Sequence, residues 1–368
     1  DCWLVTQAEG NWVQGTEYDA GETVGTGMFG DVTLEAQWTP NQYTITVEDN
    51  GSGTSEIEVT FNTSTPSIVA GTKEGYTLTG FNIENTQTKL FNADGSPVYG
   101  VANYTDASGN WIMADDVTVV AQWDADSYLI TFNINLPDGF SGGLISTNSI
   151  SVQYNSTYPE LATITTLPTM EGYSIAFNGW FTQASGGTQV IGNQTVFTDN
   201  TVGNINHTQR TGVLYAQWTV TINTHTLTAD AGLGTINLAS DWQVAADNKT
   251  ATKNLDFGQV YGTLPTVNVY AKTGYTVEFV GWFDSQSGGN KVTASNTMGD
   301  SDATIYARYT ETANTYTLTL TKGTGISTIT SSTHTLTPSG DSYTTQVVFG
   351  STVTVSAIPS FGYNWSKW

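Results

Sequence analysis

The chain has 368 residues, 33 acidic against 10 basic, giving a net charge of −23, with only 12% of residues charged and 12% aromatic. Such an acidic surface is repelled by the phosphate backbone of nucleic acid and by anionic lipid, which excludes nucleic-acid binding. No run of about eighteen apolar residues is present, so nothing in this segment spans a bilayer as a helix, and the single cysteine, Cys2, excludes an intramolecular disulfide.

The chain opens on the strand pattern of Asp1-Cys-Trp3 and continues to TLEAQW at 33–38, so residues 1–40 read as the closing half of a unit. The same closing pattern recurs as TVVAQW at 118–123, VLYAQW at 213–218 and TIYARY at 304–309. An aliphatic residue, an alanine and an aromatic alternate in each copy, and a period of two describes a strand with one buried face. A second strand follows each copy within a few residues, as YTITV at 43–47, YLITF at 128–132, VTIN at 220–223 and YTLTL at 316–320. The expected units are therefore 41–125, 126–219 and 220–312, followed by the first part of another at 313–368, strung together without a flexible linker.

Between opening and closing strands lie Gly75-Tyr76, Gly172-Tyr173, Gly274-Tyr275 and Gly362-Tyr363. Each reads as a turn glycine entering a strand, because Gly supplies the positive φ that a β-branched residue cannot. GYSIAFNGWFTQASGGTQV at 172–190 and GYTVEFVGWFDSQSGGNKV at 274–292 share ten of nineteen positions, where unrelated sequence would share about one. Ser-Gly-Gly at 185–187 and 287–289 reads as the hairpin turn of that repeated core. The recurrent aromatics predicted to form the unit cores are Trp38, Tyr76, Trp123, Tyr173, Trp180, Trp218, Tyr275, Trp282, Tyr309, Tyr363 and Trp368. Helix formers and 3.6-residue periodicity are scarce, which predicts a mainly β chain with at most a short helical turn per unit, around Trp111 to Asp116 in the first complete one.

GYxxxFxGWF, then SGG, then VLYAQW or TIYARY resembles the Listeria-Bacteroides repeat, also called the internalin-type B-repeat; NWIMADDVTVVAQW at 110–123 is similar to its closing half. The stretch from YTLTLTKGTGISTIT at 316–330 to STVTVSAIPSFGYNWSKW at 351–368 is similar to a divergent form of the repeat. The resemblance implies small β-grasp-like domains in tandem, on secreted or cell-surface prokaryotic proteins. These units are longer than usual for the family, Phe81 stands where Trp is expected, and Tyr309 replaces the closing Trp; loop insertions account for the length.

Chemistry-bearing motifs are sparse. His207, His225 and His334 fall in different units with no clustered carboxylate at ligand spacing, which argues against zinc. Asp115-Asp116 and Asp124 with Asp126 resemble glycosidase acids or calcium ligands, but other junctions lack acids, so they read as solvated loop charges that leave room for loosely bound Ca2+ at most. The N-x-S/T sequons, among them those at Asn62, Asn103, Asn155, Asn193, Asn206, Asn248 and Asn364, are no more than composition explains. No catalytic, cofactor or metal residue is assigned. The expected function is a non-enzymatic stalk or fibre segment, with neighbouring repeats of a longer polypeptide, or other copies in a fibre, as partners. The alternative is an adhesin binding glycans or cell-surface proteins through variable loops, for which aromatics outside the repeat positions, such as Trp242 or Tyr270, would be the mark.

Overall fold

The computed structural model describes all residues except 25, 26, 50–52, 239, 365 and 368. Its regular elements are strands, apart from one 3-10 turn at Asp199–Thr201. Two compact units are present, one built from Asp1–Asn135, Ile145–Thr165 and Asn178–Gln217, the other from Leu136–Leu144, Thr166–Phe177 and Trp218–Trp368, so the span 126–219 contributes to both.

In the first unit, the alternating sequence of residues 42–125 makes a five-stranded sheet in the order Thr54–Thr60, Gln42–Glu48, Val117–Ala125, Tyr76–Ile83, Lys89–Phe91. Gln42–Glu48 runs parallel to Val117–Ala125, with Ile45 opposite Val117 and Val47 opposite Val119. Its other pairings are antiparallel. A central parallel pair formed by the first and last long strands is the β-grasp arrangement, here without a crossing helix. The long connection that a parallel pair requires supplies the cover for the sheet instead: Ile68, Val101 and Trp111 pack with Ile45, Val47, Val119 and Ala121 in one buried cluster.

The helical turn expected around Trp111 to Asp116 is absent. Trp111 is fully buried and its backbone is extended, donating to Thr63 O at 2.8 Å and accepting from Asn62 N at 2.7 Å. With both backbone groups taken by a neighbouring segment, residue 111 has no helical bond to make. The only helical turn among the described residues, Asp199–Thr201, lies between the Gly-Trp strand and the closing strand of the next span.

The strand order recurs. Residues 127–222 give Ser149–Gln153, Ser127–Asn133, Thr211–Ile222, Tyr173–Phe181, Gln189–Val190, with Thr211–Ile222 parallel to Ser127–Asn133. Residues 224–313, in the second unit, give Gln243–Val244, Thr250–Asp256, Thr224–Asp230, Ala303–Ala313, Tyr275–Phe283, Lys291–Val292, with Thr224–Asp230 parallel to Ala303–Ala313. Cys2–Ala8 pairs with Glu17–Asp19 and Val32–Gln37, and residues 315–359 form a three-stranded and a two-stranded sheet.

Gly80 and Gly281, before Phe81 and Trp282, sit at bulges. The register shifts between Leu78 and Gly80, and between Phe279 and Gly281, where φ is +139° and +146°. A bulge bends the strand and re-aims the next side chain, and the residue that follows, Phe81 or Trp282, is buried. Five of these sequon asparagines, Asn62, Asn103, Asn155, Asn193 and Asn248, hold φ between +56° and +70°, a left-handed conformation that Asn tolerates better than other side chains. Turn chemistry thus explains why Asn stands there. Asn155→Ala is expected to cost about 1 kcal/mol, read as a lowered melting temperature; an unchanged one would contradict the assignment.

Candidate functional site

The predicted core aromatics divide by environment. Trp180 and Trp282 are 2% and 3% exposed, and their indole N–H groups donate to Ala162 O and Pro265 O at 2.7 and 2.9 Å. Trp123 is half-buried against the first cluster, Trp218 lies 5.3 Å from Phe177, and Tyr309 donates to Ala231 O at 2.8 Å. Trp38 differs from the expectation: it is 76% exposed, one residue past Val32–Gln37, in a sheet that buries only Val5 among the described residues. Tyr363 is 52% exposed, its ring over Gly325, and Trp368 lies outside the described residues.

Tyr76, Tyr173 and Tyr275 serve a different purpose, because they edge onto aromatics of the sheet that follows: Tyr154, Phe257 and Phe349, at centroid distances of 5.6, 6.3 and 5.7 Å. The same circuit closes each contact. Asp126, Asn223 and Asn314, just before the next opening strand, donate their backbone N–H to Gly75, Gly172 and Gly274 O, each at 2.8 Å. Their side chains accept from the hydroxyls of Thr77, Ser174 and Thr276. Their carbonyls accept from the N–H of Tyr154, Phe257 and Phe349 at 2.8 to 2.9 Å. Those rings then cover the glycine: a β-carbon on Gly75, Gly172 or Gly274 would lie 2.3, 2.0 or 2.3 Å from them. The glycine is therefore required twice over, by φ of +77° to +80° and by the ring against it.

The sequence profile of the Listeria-Bacteroides repeat domain matches residues 43–122, 128–202 and 244–308, well over half of the chain. The chain belongs to the Listeria-Bacteroides repeat family. A protein of Evansella cellulosilytica described as a membrane protein is 26% identical over 287 residues, covering 76% of this chain and 34% of that protein. Internalin H of Listeria monocytogenes serovar 1/2a is 31% identical over 149 residues, 40% of this chain and 21% of the internalin. The chain thus spans about a third or less of these relatives, and the strands beyond residue 308 lie outside the matched segments.

Within these Listeria-Bacteroides repeats several acidic residues are tied down. Asp116 accepts from Thr44 N at 2.7 Å, and Asp126 pairs with Arg210 at 2.9 Å while serving the junction. Neither Asp115 with Asp116 nor Asp124 with Asp126 forms a ligand group of three or more among the described residues. At the next junction Asp300 accepts from Asn223 Nδ2 at 3.0 Å and lies 3.0 Å from His225 Nε2. The Asn223 amide first, then His225 and the Gly172 N–H, hold its carboxyl below the ordinary value of 3.8. A depressed carboxyl contributes stability that is present above its unfolded value and lost as pH falls through the lower folded one. Acid titration is therefore expected to loosen this junction only below pH 3.8, and Asp300→Asn should remove that dependence.

Sequence reasoning set His207 apart from any carboxylate. The fold places its imidazole, the Asp199 carboxylate and the Glu74 carboxylate with ligand atoms within 4.8 Å of one another. His207 Nδ1 is 2.6 Å from Tyr128 Oη, its Nε2 is 3.4 Å from Asp199 Oδ1, and Tyr154 donates to Asp199 at 2.9 Å. Burial, then that hydrogen bond, pushes the Tyr154 phenol up to about 12. The junction aromatics were also missed, although a signal for them exists: an aromatic followed by Asn or Gly, as Phe61-Asn62, Tyr154-Asn155, Phe257-Gly258 and Phe349-Gly350, with the second residue at positive φ in all four.

Proposed function

We propose that the chain is a non-enzymatic spacer segment of a secreted or cell-surface protein, in which Listeria-Bacteroides repeats hold other parts of a longer polypeptide at a distance. The observation that carries this reading is the junction circuit: the polar groups that recur from repeat to repeat join one sheet to the next. Catalysis needs a fixed set of acid, base and stabilising groups at one place, whereas repeat arrays draw their stiffness from nearest-neighbour contacts. The naming of one relative as an internalin and of another as a membrane protein supports a surface location.

The adhesin reading has less support. Trp242 is 7% exposed with its N–H on Thr263 O, and Tyr270 is spent on Glu311 and the edge of Tyr309, so neither offers an open stacking platform. The purified chain is expected to show no turnover of sugars, peptides or esters. Small-angle scattering decides the spacer reading: a radius of gyration well above the globular value of about 21 Å is expected, and one at that value would overturn it.

A further inference from the structure

The geometry points to a divalent transition-metal site, of Zn2+ type, formed by Glu74, Asp199 and His207, in which the ion ties the turn before Gly75 to the sheet that follows it. Two distant stretches of chain supply the donors, Glu74 from one and the nearby Asp199 and His207 from the other, one imidazole nitrogen and two carboxylates with ligand atoms within 4.8 Å of one another. One His with two carboxylates is a donor set that Zn2+ accepts, with water completing the coordination. Ca2+ is disfavoured, because it takes hard oxygen ligands in larger number.

The groups behind the donors match what a ligated histidine requires. Nδ1 of His207 is held by the hydroxyl of Tyr128, a residue with no exposed surface, 2.6 Å away. Of the two tautomers, the one whose Nδ1–H donates to that oxygen presents the Nε2 lone pair on the side of Asp199, 3.4 Å away, and it is the one a bound ion would select. Anchoring the far ring nitrogen in this way is how proteins orient an imidazole ligand. Tyr154 orients Asp199 likewise. The nearby fixed cation, Arg210, is committed to Asp126 and Thr77, and no Lys or Arg pairs with Glu74 or Asp199 among the described residues. Two carboxylates converging in a chain of net charge −23 attract a cation. His225 sits differently, because its Asp300 carboxylate already accepts from Asn223 and from the Gly172 N–H.

This inference does not depend on the spacer reading, and its test reads metal uptake directly. Titration of the metal-free chain with Zn2+ at neutral pH, followed by calorimetry, is expected to show about one equivalent bound and a melting temperature that rises with free Zn2+. His207→Gln and Glu74→Gln are each expected to weaken uptake at least 10-fold, and His225→Gln to leave it unchanged. Glu74 is exposed, so its loss should not disturb folding, and Tyr128→Phe should weaken binding ~10- to 100-fold by freeing the ring. Absence of Zn2+ binding, uptake indifferent to Glu74→Gln and His207→Gln, or Ca2+ bound as tightly as Zn2+ would each overturn the assignment.

Discussion

Trp282→Ala is expected to destabilise the second unit by ~3–5 kcal/mol, the range for truncating a large aromatic in a core. The indole lies 3% exposed in one cluster with Leu227, Trp242, Leu255, Met298 and Ile305. Its strand pairs on both sides, Trp282 standing opposite Val292 and Ala307, so no loop can close over the void. Ala307 is the alanine of the closing TIYARY pattern, a small residue beside a large ring. Truncation also leaves Pro265 O, now bonded at 2.9 Å, without its donor in a buried place, an added cost of order 1 kcal/mol. Calorimetric unfolding is the measurement, and Trp282→Phe should restore part of the loss. A Trp282→Ala chain that keeps its melting temperature would remove this residue from the core.

Period-two alternation marked the strands because a sheet with one covered face writes its burial into the sequence: Val117, Val119 and Ala121 are buried and Thr118 and Val120 are less so. Glycines before Tyr76, Tyr173 and Tyr275 were legible as turns for the same local reason, φ being a property of one residue. What escaped was set by long-range pairing. The stretch at Trp111 looked free to coil, but its backbone bonds go to Asn62 and Thr63. Tyr76, Tyr173 and Tyr275 resembled core residues because a ring packed on the next sheet and a ring packed within its own leave the same alternation. Glu74, Asp199 and His207 carry no spacing signal, since an ion site between segments depends on how the strands are ordered and not on the distance along the chain.

Gly172→Val is the substitution expected to break a junction while sparing the sheets on either side. The native φ of +77° is one that a β-branched residue adopts at a cost of at least 1–2 kcal/mol. The new β-carbon would stand 2.0 Å from Cδ1 of Phe257, so the ring has to leave or the turn has to move, and overpacking of this kind costs typically 1–3 kcal/mol. Either movement breaks the bond from Asn223 N to Gly172 O and strains the one from Phe257 N to Asn223 O, now 2.8 and 2.9 Å. The total is about 2–5 kcal/mol, expressed locally because Tyr275–Phe283 and Ala303–Ala313 make none of these contacts. Hydrogen exchange should therefore quicken at Asn223 and Phe257 and stay slow in that strand pair. Phe257→Ala in the same chain should recover the steric part and leave the cost of φ, a coupling of about 0.5–3 kcal/mol between two sites 85 residues apart in sequence. Additive effects of the two substitutions would show that the ring does not rest on the glycine, and the junction would then hold by its backbone bonds alone.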